Sequence, residues 1–142
     1  MRKTQALAFK LGAAAFVALL SGSPGQSQNV SFGDRLYHDK ADCQFCHGAE
    51  GDGHGDPRAP GKAANLHLTK LDRTQLIEVI ACGRPGSQMP HFDKYAYEDK
   101  SCYGLSSDDV GKNIPPWPHS TSLTRREIEA VADFVLATFV GK

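Results

Sequence analysis

At 142 residues the chain fits one ordinary domain, and a hydrophobic share of 40% supports a compact core while excluding a multi-span membrane protein. Acidic and basic residues balance at 16 each, but without Arg2, Lys3 and Lys10 there are 13 basic residues against 16 acidic ones. That mildly acidic balance gives no support for binding nucleic acid or an anionic membrane surface, and it favours partners with a basic docking face.

The N-terminus differs from the rest. Arg2, Lys3 and Lys10 lead into the apolar run Leu11 to Leu20, after which Ser21 to Gln28 is small, polar and broken by Pro24. An apolar run of about ten residues is too short for a bilayer, which takes about 20. Residues 1–27 are therefore expected to be an export signal, cleaved after Ser23 or Ser27, rather than an uncleaved amphipathic anchor. This places the mature domain at 28–142, in the periplasm, with no stable membrane insertion once the signal is gone.

A first short helix is expected from near Ser31, where Ser31 and Asp34 have capping-box-like spacing and Phe32, Leu36 and Tyr37 supply apolar positions. Gly48 to Lys62, rich in glycine, proline and charge, reads as loop. A second helix is predicted over Arg73 to Cys82, with Asp72 as N-cap, Gln75 three residues on, Leu76, Ile77 and Ile80 as its apolar stripe, and Gly83 to end it. Residues 91 to 123, with the cluster Pro115-Pro116-Trp117-Pro118, follow no helical or strand period and read as an ordered excursion. The last helix, about Arg125 to Val140, is the clearest: Thr124 and Glu127 make a capping box, and Ile128, Val131, Ala132, Val135, Leu136 and Phe139 recur at helical spacing.

Chemistry concentrates at Cys43-Gln44-Phe45-Cys46-His47. In a C-x-x-C-H sequence the two thiols can add to the two vinyl groups of one haem while the adjacent histidine reaches its iron. An export signal agrees with this, because bacterial haem attachment takes place outside the cytoplasm. The alternatives are a redox dithiol, which wants a strand and helix of an α/β pattern, and half of a zinc site, which would need Cys82, Cys102, His54 or His67 as further ligands. Haem iron takes a second axial ligand or leaves a position open. Met89, the only methionine besides Met1, lies in an irregular turn after the second helix, where it can swing over the far haem face. His91 and His119 compete for that role, and His38, His54 and His67 have weaker claims.

With these residues assembled, the chain resembles a class I cytochrome c, the small all-helical monohaem family. The likeness runs from about Ser31 to Val140 and includes Gly33 and Tyr37, Cys43-Gln44-Phe45-Cys46-His47, Asn65-Leu66, Met89-Pro90, and Glu127 to Val135. The resemblance implies an all-α fold of three or more helices around one covalently attached haem c, with a long loop before the C-terminal helix. It also implies that the first and last helices cross, Gly33 lying against Phe134. Three features depart from the family: two extra residues between Tyr37 and Cys43, a longer stretch from Phe92 to Leu123, and no clear match for the proline whose carbonyl supports the proximal histidine. Pro57 and Pro60 are candidates, but Ala63-Ala64 stands just before Asn65-Leu66.

Cys82 and Cys102 are left over, and an even pair in an exported protein favours a disulfide spanning the Met89 loop, adding about 3 kcal/mol in the chain-entropy model. With His47 and Met89 both on iron, the expected function is transfer of single electrons. Expected partners are periplasmic redox proteins, such as a dehydrogenase donor and an oxidase or other cytochrome acceptor. The rival readings are a haem enzyme such as a peroxidase, with His91 as its distal group, and a haem-bearing docking subunit. In the second rival Phe92, Tyr95, Tyr97, Tyr103 and Trp117 would form a contact surface, although covering one haem edge is their expected use.

Overall fold

A computed structural model describes residues 24–118 and 120–142. The expected export signal lies outside the described residues over 1–23, as does His119. Five α-helices occur among the described residues: α1 (Pro24–Arg35), α2 (Gln44–His47), α3 (Arg73–Cys82), α4 (Ser107–Val110) and α5 (Arg125–Thr138), with no strand. The all-α expectation holds.

α3 and α5 form where their apolar periods and caps place them. Asp72 accepts from the Gln75 backbone and Gln75 returns a bond to Asp72, while Thr124 and Glu127 make the same reciprocal pair. α5 stops two residues short of the expected end, with Phe139 as its C-cap, whose N–H still donates to the Val135 carbonyl at 2.9 Å. α1 is a correction, for it starts at Pro24 rather than near Ser31. A proline at the first helical position forfeits an N–H that has no partner in the helix anyway, so Pro24 opens the helix that it was expected to precede. The Ser31 hydroxyl therefore caps nothing; it donates to the Gln28 carbonyl one turn back, at 3.1 Å.

The core is built where α1 crosses α5. A Cβ on Gly33 would stand 2.0 Å from the Ala130 carbonyl oxygen and 2.7 Å from Phe134 Cβ, so only glycine permits this approach. Around the crossing Tyr37 packs against Phe134 and Phe139, with ring centroids 5.4 and 5.3 Å apart. The Tyr37 hydroxyl, buried with its ring, donates to the Gly48 carbonyl at 2.7 Å and so ties the turn after α1 to the loop that follows α2. α3 lies against α5, and the Arg73 guanidinium is paired with Asp133 at 2.6 Å.

The two extra residues between Tyr37 and Cys43 are absorbed by a wide turn. Leu36–Lys40 is π-helical, closed by Ala41 N–H donating to the Leu36 carbonyl at 2.8 Å. A π-turn takes up an additional residue without moving the chain further along its axis. Asp42 then reverses the chain at φ 50°, and Cys43 N–H returns to the Tyr37 carbonyl at 2.8 Å.

At the start of the excursion from 92 to 123, Phe92 lines the cavity described below, and the segment beyond it has a second use. It caps the end of α3. The Ile80 and Ala81 carbonyls accept from the backbone of Phe92 (3.2 Å) and Asp93 (3.0 Å), and those of Cys82 and Gly83 from the hydroxyls of Tyr97 (2.8 Å) and Tyr103 (2.6 Å). Cys82 and Cys102 are joined in a disulfide, Cα to Cα 5.5 Å, at the same place. Carbonyls left orphaned by the end of a helix are thus satisfied by a later segment of chain.

Gly33→Ala should lower the stability of the folded protein by about 3 kcal/mol, because the added methyl meets backbone on α5 that cannot retreat without separating the helices. Denaturant titration of the variant beside the wild type checks this; a loss below about 0.5 kcal/mol would mean that the crossing opens freely.

Candidate haem site

α2 is a single turn, so Cys43, at its N-cap, and Cys46 and His47, inside it, fall on one side of the chain. The glycine-rich loop wraps that turn closely. A Cβ on Gly55 would lie 2.2 Å from the Phe45 carbonyl oxygen and 2.6 Å from that of Cys46. Asp56 N–H donates to the Phe45 carbonyl and Gly53 N–H to that of His47, both at 2.8 Å. Of the glycines that read as loop punctuation, Gly53 and Gly55 let backbone touch backbone.

Cys43, Cys46 and His47 open into a cavity of about 250 Å³. Met89, half-buried, lines the same cavity from the loop after α3. Its walls include the apolar residues Leu66, Leu76, Ile80 and Phe92, and Val131 and Val135 from α5. A larger open groove of about 1140 Å³ over α1 and α5 holds none of the sulfur-bearing residues.

His47 is oriented by its surroundings. Its Nδ1 lies 2.9 Å from the Ala64 carbonyl oxygen, which fits a donated N–H and leaves Nε2 as the acceptor. Burial, opposed by that bond and reinforced by the charge of Arg84, holds the imidazole below its ordinary pKa, in the neutral form that binds a metal. The supporting carbonyl that had no proline match is therefore supplied by Ala64. A backbone carbonyl carries no side-chain signature, which is why the sequence concealed it.

Met89 is placed by a tight turn. Its N–H donates to the Ser87 hydroxyl at 3.1 Å, and its carbonyl accepts from Arg84 N–H at 3.2 Å. Gly83, at φ 63°, lets that turn start, since a Cβ there would come within 2.6 Å of the Met89 carbonyl oxygen. His91 is turned away: buried, it shares Nδ1 with the Asp93 carbonyl at 3.0 Å, packs at a tilt against Trp117 with centroids 4.5 Å apart, and does not line the cavity. His38, His54 and His67 are also absent from the cavity wall.

The rival uses of the cysteines fare poorly. Burial pushes the Cys43 thiol up to about 12 and raises that of Cys46, so at neutral pH neither is the thiolate that a redox dithiol needs. Cys82 and Cys102 are joined to each other, and no cluster of three or more potential metal-binding side chains occurs among the described residues. Two thiols, an oriented imidazole, a thioether and apolar walls fit a haem in one cavity.

The family model described as "Cytochrome C oxidase, cbb3-type, subunit III" matches residues 28–107. The chain belongs to this family, and so to the class I c-type cytochromes. A domain of this family is one that holds haem c. No curated protein matches it. Among solved structures, a chain of the reducing HAO-like protein complex of Kuenenia stuttgartiensis matches with a TM-score of 0.55 and 18% identity, over 92% of this chain and 51% of that one. At that identity the likeness concerns the fold, and this cytochrome spans about half the length of the chain it matches.

The base of the Met89 turn carries a pH signature. Burial first, and then the neighbouring Tyr103, push the Tyr97 hydroxyl up to about 12 from its ordinary 10.0. Folding thus holds this proton more tightly than the unfolded chain does, so its contribution is complete below pH 10 and is lost as the pH rises through about 12. Tyr97→Phe should cost about 1–2 kcal/mol at neutral pH, by leaving the Cys82 carbonyl unpaired. The gap from wild type should narrow between pH 10 and 12 in urea titrations; a constant gap would mean that Tyr97 does not titrate in this window.

Proposed function

We propose that this cytochrome is an exported, soluble carrier of single electrons, with one haem c bonded to Cys43 and Cys46 and iron held by His47 and Met89. The observation that carries the reading is the meeting of Met89 with the Cys43, Cys46 and His47 group in one apolar-walled cavity, although Met89 lies 42 positions after His47 in the sequence. Haem c, when bound, supplies an Fe(III)/Fe(II) couple. The chain's residues do the rest: Ala64 fixes the His47 ring, the Ser87 turn presents Met89, and Leu66, Leu76, Ile80 and Phe92 keep water from the group. A methionine ligand and low polarity both favour the ferrous state and raise the potential.

A carrier is favoured over a peroxidase because His47 is the only histidine on the cavity wall among the described residues, and His91, the distal candidate, points to Asp93. The mature domain is 28–142, reached after export to the periplasm. Its partners are a dehydrogenase donor and an oxidase or other cytochrome acceptor. A haem-bearing subunit of a larger assembly is the second reading. The oxidase subunit named by the family favours it, as do Trp117 and Tyr95, 61% and 56% exposed on the long excursion.

The purified protein, oxidised and reduced, should show reduced haem c bands and the weak red-edge band of methionine sulfur on ferric haem, and Met89→Ala should abolish the weak band and admit CO. Ready CO binding by the wild type, without that band, would transfer the case to the enzyme reading.

A further inference from the structure

The cavity wall holds two cations, Lys62 and Arg84, and Arg84 differs from every other arginine described. Arg58, Arg73 and Arg125 are paired with Asp56, Asp133 and Glu129, and Arg35 and Arg126 lie over the Phe32 ring. Arg84 has neither a carboxylate nor an aromatic partner among the described residues, although it lines a cavity whose walls are otherwise mostly apolar. Its backbone is fixed on both sides: its N–H donates to the Met89 carbonyl at 3.2 Å, its own carbonyl accepts from the Ser87 hydroxyl at 2.8 Å, and the preceding Gly83 carbonyl is held by Tyr103. The guanidinium is close enough for its charge to act on both His47 and Tyr103. A cation held at the mouth of an apolar cavity without an internal partner is built for an anionic group on the occupant.

On the reading of this cavity as a haem site, we propose that Arg84 binds a propionate carboxylate of the haem and thereby sets the haem's orientation and raises its reduction potential. The planar fork of an arginine matches a carboxylate in two parallel hydrogen bonds. Its exposed edge suits an acid group that sits where the cavity meets solvent. By offsetting the propionate's negative charge, Arg84 removes an electrostatic preference for Fe(III). It is a positioning residue, one that acts on the iron through the haem periphery.

The test is an optical redox titration of the full-length holoprotein, as wild type, Arg84→Gln and Arg84→Lys, at low ionic strength. Arg84→Gln should lower the equilibrium constant for reduction about threefold, equivalent to about 30 mV at 59 mV per tenfold, with the methionine band intact. Arg84→Lys, which keeps the charge but not the fork, should fall between the two, and it carries the test alone if the glutamine variant does not accumulate. An unchanged potential in the substituted protein overturns the proposal. So does a lowered potential accompanied by loss of the methionine band, which would assign Arg84 to holding the Met89 turn. Absence of haem c bands from the wild type would remove the haem reading itself, an outcome distinct from a normal spectrum with an unmoved potential.

Discussion

The missing side chain at Gly33 governs how the remaining elements are arranged. Because α1 can approach α5 until backbone meets backbone at Ala130, Tyr37 is carried far enough inward to reach both Phe134 and the Gly48 carbonyl. That second contact locates the loop after α2, and with it the turn bearing Cys43, Cys46 and His47. The adjoining stripe of α5 supplies Val131 and Val135 to the cavity, so one helix both closes the core and walls the site.

The parts of this structure that were legible are those in which side chains announce their partners. Two capping boxes bounded α3 and α5, apolar periodicity gave their buried faces, and the cysteine spacing pointed to the chemistry of α2. What escaped was written in backbone. A π-turn has no residue signature, so the two additional residues before Cys43 are a discrepancy in the sequence that the wide turn at Leu36–Lys40 and the reversal at Asp42 together resolve. Ala64 supports His47 through a carbonyl that any residue would offer. Pro24 misled for a related reason, since proline breaks a helix inside it and begins one at its edge.

The long excursion escaped for a different reason. Its hydrogen bonds run to the end of α3, some ten to twenty residues earlier in the chain, so no local pattern could reveal them. The charge argument also changes scale. Mildly acidic composition pointed to basic docking faces, yet the charges on the cavity wall are Lys62 and Arg84 with Asp42. Net charge describes the whole surface and is silent about the few square ångströms where a partner would approach.

Tyr97, Tyr103 and the disulfide together make the end of α3 an anchorage from which the Met89 turn projects. The turn is short, begins at a glycine that cannot be replaced without a clash, and returns to the sheltered backbone of Phe92. For a carrier, the speed of exchange depends on how little the surroundings must rearrange when one unit of charge arrives or leaves. On the proposed reading of Met89 as the iron ligand, an arm pinned at both ends has few low-energy displacements open to it, so the reorganisation accompanying each electron would fall mainly on solvent at the cavity mouth rather than on the protein.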